Sequence, residues 1–136
     1  MIGLGYVLVC PLAYLLAGST KFLVNSARAG RLAFHQIGLG RFPSTHSAIV
    51  CAPAWLIALK AGVGTPVFAV ALGVAMIVVI DAMDLRRHLE RANAVLRAEH
   101  PAAAAELRER IAHRPFEIVG GIAVGAVAAF LAALAG

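Results

Sequence analysis

The sequence predicts an all-α integral membrane bundle of about four transmembrane helices with an amphipathic cytoplasmic helical segment. Three observations predict it. The chain of 136 residues is 61% hydrophobic, with a mean hydropathy of +0.85, well above the composition of soluble domains. Its charged residues are clustered, not spread along the chain. Between the clusters lie four apolar runs, placing spans at about 2–19, 44–60, 65–80 and 115–135. A span takes about 20 residues. The first and last runs meet that length, and the middle two meet it when Ser44, Thr45 and His46 sit inside the bundle. The length fits one membrane-embedded domain over residues 1–136.

Taken in order, the first run is read as a retained helix, because Met1-Ile2-Gly3 offers no basic region ahead of the apolar stretch, as a cleaved signal would. Helical character continues through Lys21 towards Arg28, and Gly30 marks a stop. Residues 31–42 contain Gly38 and Gly40 and read as a loop or re-entrant piece before Pro43. Pro43 opens the second helix. Ala61 to Pro66 is a tight turn, and the third helix runs to Ile80, where it meets Asp81.

Residues 81–112 form the amphipathic segment. Leu85, Leu89, Ala92 and Leu96 recur at helical spacing among Arg and Glu, Pro101 interrupts, and Leu107 and Ile111 continue the stripe. Such a segment lies on the membrane surface or over the bundle mouth. A solvated linker with salt-bridged faces is the alternative. The last helix starts at Pro115, and Gly121 and Gly125 give it a small-xxx-small pair that permits close packing. In so small a bundle that pair also suits a homodimer seam. Cys10 and Cys51 lie in apolar runs and read as small core residues.

The net charge of +5 is explained by topology, without nucleic acid as a partner. Lys21, Arg28, Arg31 and Arg41 lie between the first two runs, and Arg86, Arg87, Arg91, Arg97, Arg108, Arg110 and Arg114 between the last two. Only Lys60 lies in the turn between the second and third. Basic loops stay in the cytoplasm. The expected location is thus the cell membrane, multi-pass, with both termini outside and any site among these residues on the cytoplasmic side.

Ionisable groups near spans are functional candidates. Lys21 and Arg28 are seven residues apart, on one face of a helix, where two cations suit a phosphate. Snorkelling anchors are the alternative. Ser44, Thr45 and His46 occupy the first turn of the second helix, where free N–H groups favour an anion and His46 transfers protons near neutral pH. A capping serine with a headgroup-facing histidine is the plainer reading. His113 and Glu117 are four apart at the last helix start, so the carboxylate can hold one ring nitrogen and raise the basicity of the other. Glu117 is the acidic residue within an apolar run, and an ion pair with Arg114 or Arg110 would also satisfy it. Asp81 and Asp84 with Arg86 and Arg87 are either intrahelical pairs, or an arginine aimed at the same anion with Asp81 positioning it. A divalent ion on Asp81 and Asp84 is a weaker signal.

Lys21-x6-Arg28, Pro43-Ser44-Thr45-His46 and His113-x3-Glu117 follow the motif order of the type 2 phosphatidic acid phosphatase superfamily, which includes the vanadium haloperoxidases. The chain more closely resembles the divergent branch of that superfamily, through Pro43 to Ala48, Asp81 to Arg87 and His113 to Val119. Departures are Ala29 for proline, Thr45 for glycine, Glu117 for aspartate, and Leu107 where the superfamily has arginine. Arg86, Arg87 or Arg108 is left to supply that charge.

The resemblance implies a membrane-embedded phosphatase-like domain acting on a lipid phosphate or diphosphate at the cytoplasmic face. It implies a phosphohistidine on His113, oriented by Glu117, with His46 as general acid and then base. It implies phosphate binding by Lys21, Arg28, Ser44, Thr45 and one of Arg86, Arg87 or Arg108, with no metal and no cofactor. The alternatives are an anionic-lipid binder or transporter that keeps the phosphate cradle without turnover, and a small assembly subunit whose basic loops only set topology.

Overall fold

The computed structural model describes residues 3–32, 42–102, 107 and 112–135. Among them five helices follow in order: α1 (Leu4–Ala29), α2 (Thr45–Lys60), α3 (Pro66–Met83), α4 (Leu85–Glu99) and α5 (Pro115–Leu134). Each boundary has a local cause. α1 ends at Gly30, whose φ of 63° is the left-handed conformation glycine adopts without penalty. Ser44 caps α2 by accepting from the Ser47 N–H, and Thr65 caps α3 by accepting from the Phe68 N–H, with Pro66 following in the first turn.

The first helix continues past the span expected to about residue 19, through Lys21 and Arg28 to the expected stop at Gly30, because Gly18 and Ser19 lower helix propensity without stopping a helix. One boundary departs from the sequence reading. The third helix runs to Met83, so Asp81 belongs to its last turn, and the amphipathic helix starts only at Leu85. Asp84 joins the two: its N–H donates to the Ile80 carbonyl and its own carbonyl accepts from Arg87 and His88.

The core is a three-helix seam of small residues. Ala13 and Ala17 of α1, Ala48 and Ala52 of α2, and Ala128 and Ala129 of α5 are fully buried together with Val9 and Leu56. α2 and α5 run parallel in intimate contact. A Cβ on Gly121 would come within 2.3 Å of the Ser44 carbonyl oxygen, and one on Gly125 within 2.8 Å of the Ala48 carbonyl oxygen. α2 thus takes up the small-xxx-small pair inside the chain, on the face where a homodimer seam was expected. Cys10 and Cys51 are free thiols.

α3 packs along α2 and turns most of its apolar surface outward, with Val67, Val70, Ile77 and Ile80 all exposed. An apolar exterior of this kind matches lipid as solvent. α1, α3 and α5 are long and apolar enough to cross a membrane, while α2 is shorter. At 16 residues, α2 spans about 24 Å.

Candidate functional site

The site is assembled where four helix ends meet. Parallel α2 and α5 bring their N-termini together, as the Ser44 N–H donates to the Glu117 carbonyl at 2.8 Å. α1 runs antiparallel to α5: Gly5 lies against Ala132 at one end, and Lys21 lies within electrostatic reach of Glu117 at the other. The His113 N–H donates to the Ala82 carbonyl at 3.2 Å, fixing the entry of α5 to the last turn of α3. The Ala112 N–H donates to Glu90 Oε1 at 2.7 Å, tying the same entry to α4.

At this junction the rings of His46 and His113 lie 6.5 Å apart between centroids, tilted by 53°. Glu117, 2% exposed, holds His113 through Oε2 to Nδ1 at 3.1 Å. The same oxygen accepts the Arg114 N–H at 3.0 Å. Among the described residues Glu117 is therefore paired with the His113 ring and with backbone, and Arg110 lies outside them. With Nδ1 engaged, Nε2 is the ring nitrogen left to react.

Lys21 is almost fully buried. Lys21, Asp81, Arg86 and His113 all lie within electrostatic reach of His46. Arg86 Nε is 3.7 Å from Asp81 Oδ2, so Asp81 orients the arginine that shares the histidines' surroundings. Arg87 is exposed, one residue and about 100° further round the helix. Arg28 lies two turns beyond Lys21 and is also exposed. Asp84 pairs with His88 at 3.7 Å, so the two aspartates serve different partners. No group of three or more His, Cys, Asp or Glu suited to a metal ion occurs among the described residues. Arg108 lies outside the described residues.

Ser44 is fully buried. Its hydroxyl accepts from the Ser47 N–H at 3.3 Å and from the Ser47 hydroxyl at 2.9 Å. That places it as the cap of α2, and the N–H groups of Thr45 and His46 in the same turn have no intrahelical partner. Three further contributors escaped the sequence reading. Ser47, buried beside Ser44, sits three residues after the cap, a spacing that capping geometry makes readable. Phe42 stacks on Phe116 at 6.0 Å and covers Gly120, where a Cβ would meet its ring at 2.3 Å. Glu90 holds the α5 entry, a long-range contact with no local signal.

A profile described as the divergent PAP2 family matches residues 5–128. No curated protein and no solved structure matches the chain. The chain belongs to the divergent PAP2 family.

Proposed function

We propose that this divergent PAP2 protein is a membrane lipid phosphate or diphosphate phosphatase that works through a phosphohistidine on His113. The observation that carries the reading is the facing pair His46 and His113, with Glu117 on Nδ1 of His113 and with Lys21 and Arg86 around it. His113 Nε2 attacks phosphorus, and the bond from phosphorus to the lipid oxygen breaks. His46, which is exposed, gives its proton to the leaving oxygen. His46 then takes a proton from water, whose oxygen attacks phosphorus and breaks the N–P bond. Phosphate leaves and both histidines return to their starting state. Lys21, Arg86 and the free N–H groups of Thr45 and His46 stabilise the charge on the transferring group. Arg28 and Arg87 are the outer cations of the same cradle, and Arg108 is a candidate from the sequence alone. Because cationic side chains supply the positive charge, turnover needs no metal.

In this reading α2 is a fourth, short span, and α4 lies in the interface with Leu85, Leu89 and Leu96, all exposed, towards lipid. The basic segments hold the site on the cytoplasmic side. The second reading is an anionic-lipid binder without turnover, which Leu107 at the superfamily's arginine position favours.

The test is phosphate release by detergent-purified protein from a panel of lipid phosphates and diphosphates in EDTA, beside His46→Ala and His113→Ala. EDTA-resistant turnover that drops about 10²-fold or more in both variants supports the phosphatase. Folded protein without turnover on any lipid, but with measurable lipid affinity, supports the binder.

A further inference from the structure

An apolar cavity of about 350 Å³ runs between α2 and α3. Its upper end is formed by Cys51, Val79 and Ile122. Cys51 lies five residues beyond His46, Ile122 five beyond Glu117, and Val79 two before Asp81. The cavity thus begins about two turns or less beneath the histidine pair. Its far end is formed by Ala58, Val63 and Phe68, close to the α2–α3 turn. From Val79 back to Phe68 the groove follows α3 for about 16 Å, roughly half the ~30 Å hydrocarbon thickness. The crease thus follows the cationic, histidine-bearing junction along α2 and α3, a spacing that a ligand with an anionic head and an extended apolar tail spans.

We infer that this crease is the tail subsite of the phosphatase proposed above, and that it takes one hydrocarbon chain, making the substrate a single-chain lipid phosphate or diphosphate. The inference rests on the phosphatase reading for the reaction, and on the groove alone for the tail. Three features fix the occupant. The lining is apolar from end to end, which suits a hydrocarbon chain. The volume is at the small end of ligand cavities, which run about 300–1,000 Å³, enough for one chain in a crease between two helices. Trp55, Leu72 and Met76 of the lining are exposed on the molecule's flank, so a tail enters sideways from the bilayer while its phosphate stays at the junction.

The groove also sets a length scale. Ala54 lies nearer the histidines and Ala58 one turn deeper. Filling each position shortens the crease to a different depth.

The experiment has two arms. In the first, turnover is followed with butyl, octyl, dodecyl and octadecyl phosphate at equal mole fraction in one detergent, for the natural protein, Ala58→Phe and Ala54→Phe. Butyl phosphate reads the histidine site alone and serves as the folding control. Ala58→Phe is expected to lower kcat/KM about tenfold for octadecyl phosphate with butyl phosphate unchanged, and Ala54→Phe to move the cut-off to shorter chains. In the second arm, a dodecyl phosphate bearing a diazirine near its chain end is photolysed on the protein, which needs no turnover. Label is expected on α2 and α3 around Ala58 and Phe68, displaced by dodecyl phosphate about tenfold better than by a two-chain diacylglycerol phosphate.

Label in the crease without turnover on any substrate would sink the phosphatase and leave the tail subsite standing. Label scattered over the outer faces of α1 and α5, or equal losses across all chain lengths, overturns the tail subsite whether or not the enzyme is active. A crease filled by a second copy of the chain would show as association lost in Ala58→Phe with an unaltered chain-length profile, and it too overturns the inference.

Discussion

At the scale of single residues, the site turns on one carboxylate oxygen with two tasks. Glu117 Oε2 accepts from the Arg114 N–H and holds His113 Nδ1, so it caps α5 and fixes the histidine's tautomer together. Substitution separates these roles. Glu117→Gln keeps an amide oxygen for the Arg114 N–H and removes the charge that favours an imidazolium. Its turnover is expected to fall about 10²-fold with little change in the unfolding midpoint. Glu117→Ala also leaves the first turn uncapped, which costs about 1 kcal/mol. Phosphate release and chemical unfolding, measured on both variants, check this; unchanged turnover in Glu117→Gln would show that the carboxylate acts only as a cap. The arginines differ in the same way. Arg86 is partly buried and aligned by Asp81, while Arg87 is exposed. Arg86→Ala is expected to lower kcat/KM about tenfold or more, the loss of a charge-assisted contact, and Arg87→Ala to stay within about twofold. The reverse order would move the phosphate to the other face of α4.

At the scale of elements, the bundle is set by the seam between α2 and α5. Gly121 lets the Ser44 carbonyl approach so closely that any Cβ must push one helix off the other. Gly121→Ala is expected to cost about 2 kcal/mol of stability and, because Ser44 and His46 ride on that helix end, to reduce activity as well. Gly73→Ala is the control: nothing lies within 4 Å of a Cβ there, and alanine in a helix interior stabilises by up to about 1 kcal/mol. Unfolding of both variants in one detergent reads the difference. This seam also marks how far the sequence could be read. Local relations were legible: the apolar helices, the cap at Ser44, and the four-residue step from His113 to Glu117, which helical geometry turns into a contact. The small-residue spacing of Gly121 and Gly125 was legible as a close-packing face, but not as a face for α2, because a periodicity names a face without naming its neighbour. The split of residues 81–112 was hidden because Asp84 is not a residue that stops a helix. Nearness of Lys21 to Glu117, or of Glu90 to the α5 entry, depends on how the helices pair, and only the order of the motifs hinted at it.

At the scale of the whole molecule, the helix directions and the charges make one argument. α2 and α5 run parallel and α1 runs against α5, so Lys21, His46, Asp81, Arg86, His113 and Glu117 collect at one end. Lys60 lies towards the opposite end, its ammonium 5.7 Å from the ring of Tyr6 near the start of α1. A site at one end of a bundle in lipid works on one leaflet only, so sidedness decides which lipid pool is reached. The excess of arginine at the site end predicts that this end is cytoplasmic. Cys10→Ala and Cys51→Ala provide a background without native thiols, onto which Val63→Cys in the α2–α3 turn and Ala98→Cys near the end of α4 are placed one at a time; both positions are exposed. A membrane-impermeant maleimide is expected to label Val63→Cys in intact cells, and Ala98→Cys only after the membrane is opened. The opposite pattern would keep the histidine pair and its chemistry intact and turn it to the outer leaflet. Phosphate would then be released outside, and the basic segments would owe their charge to the anionic substrate, not to topology.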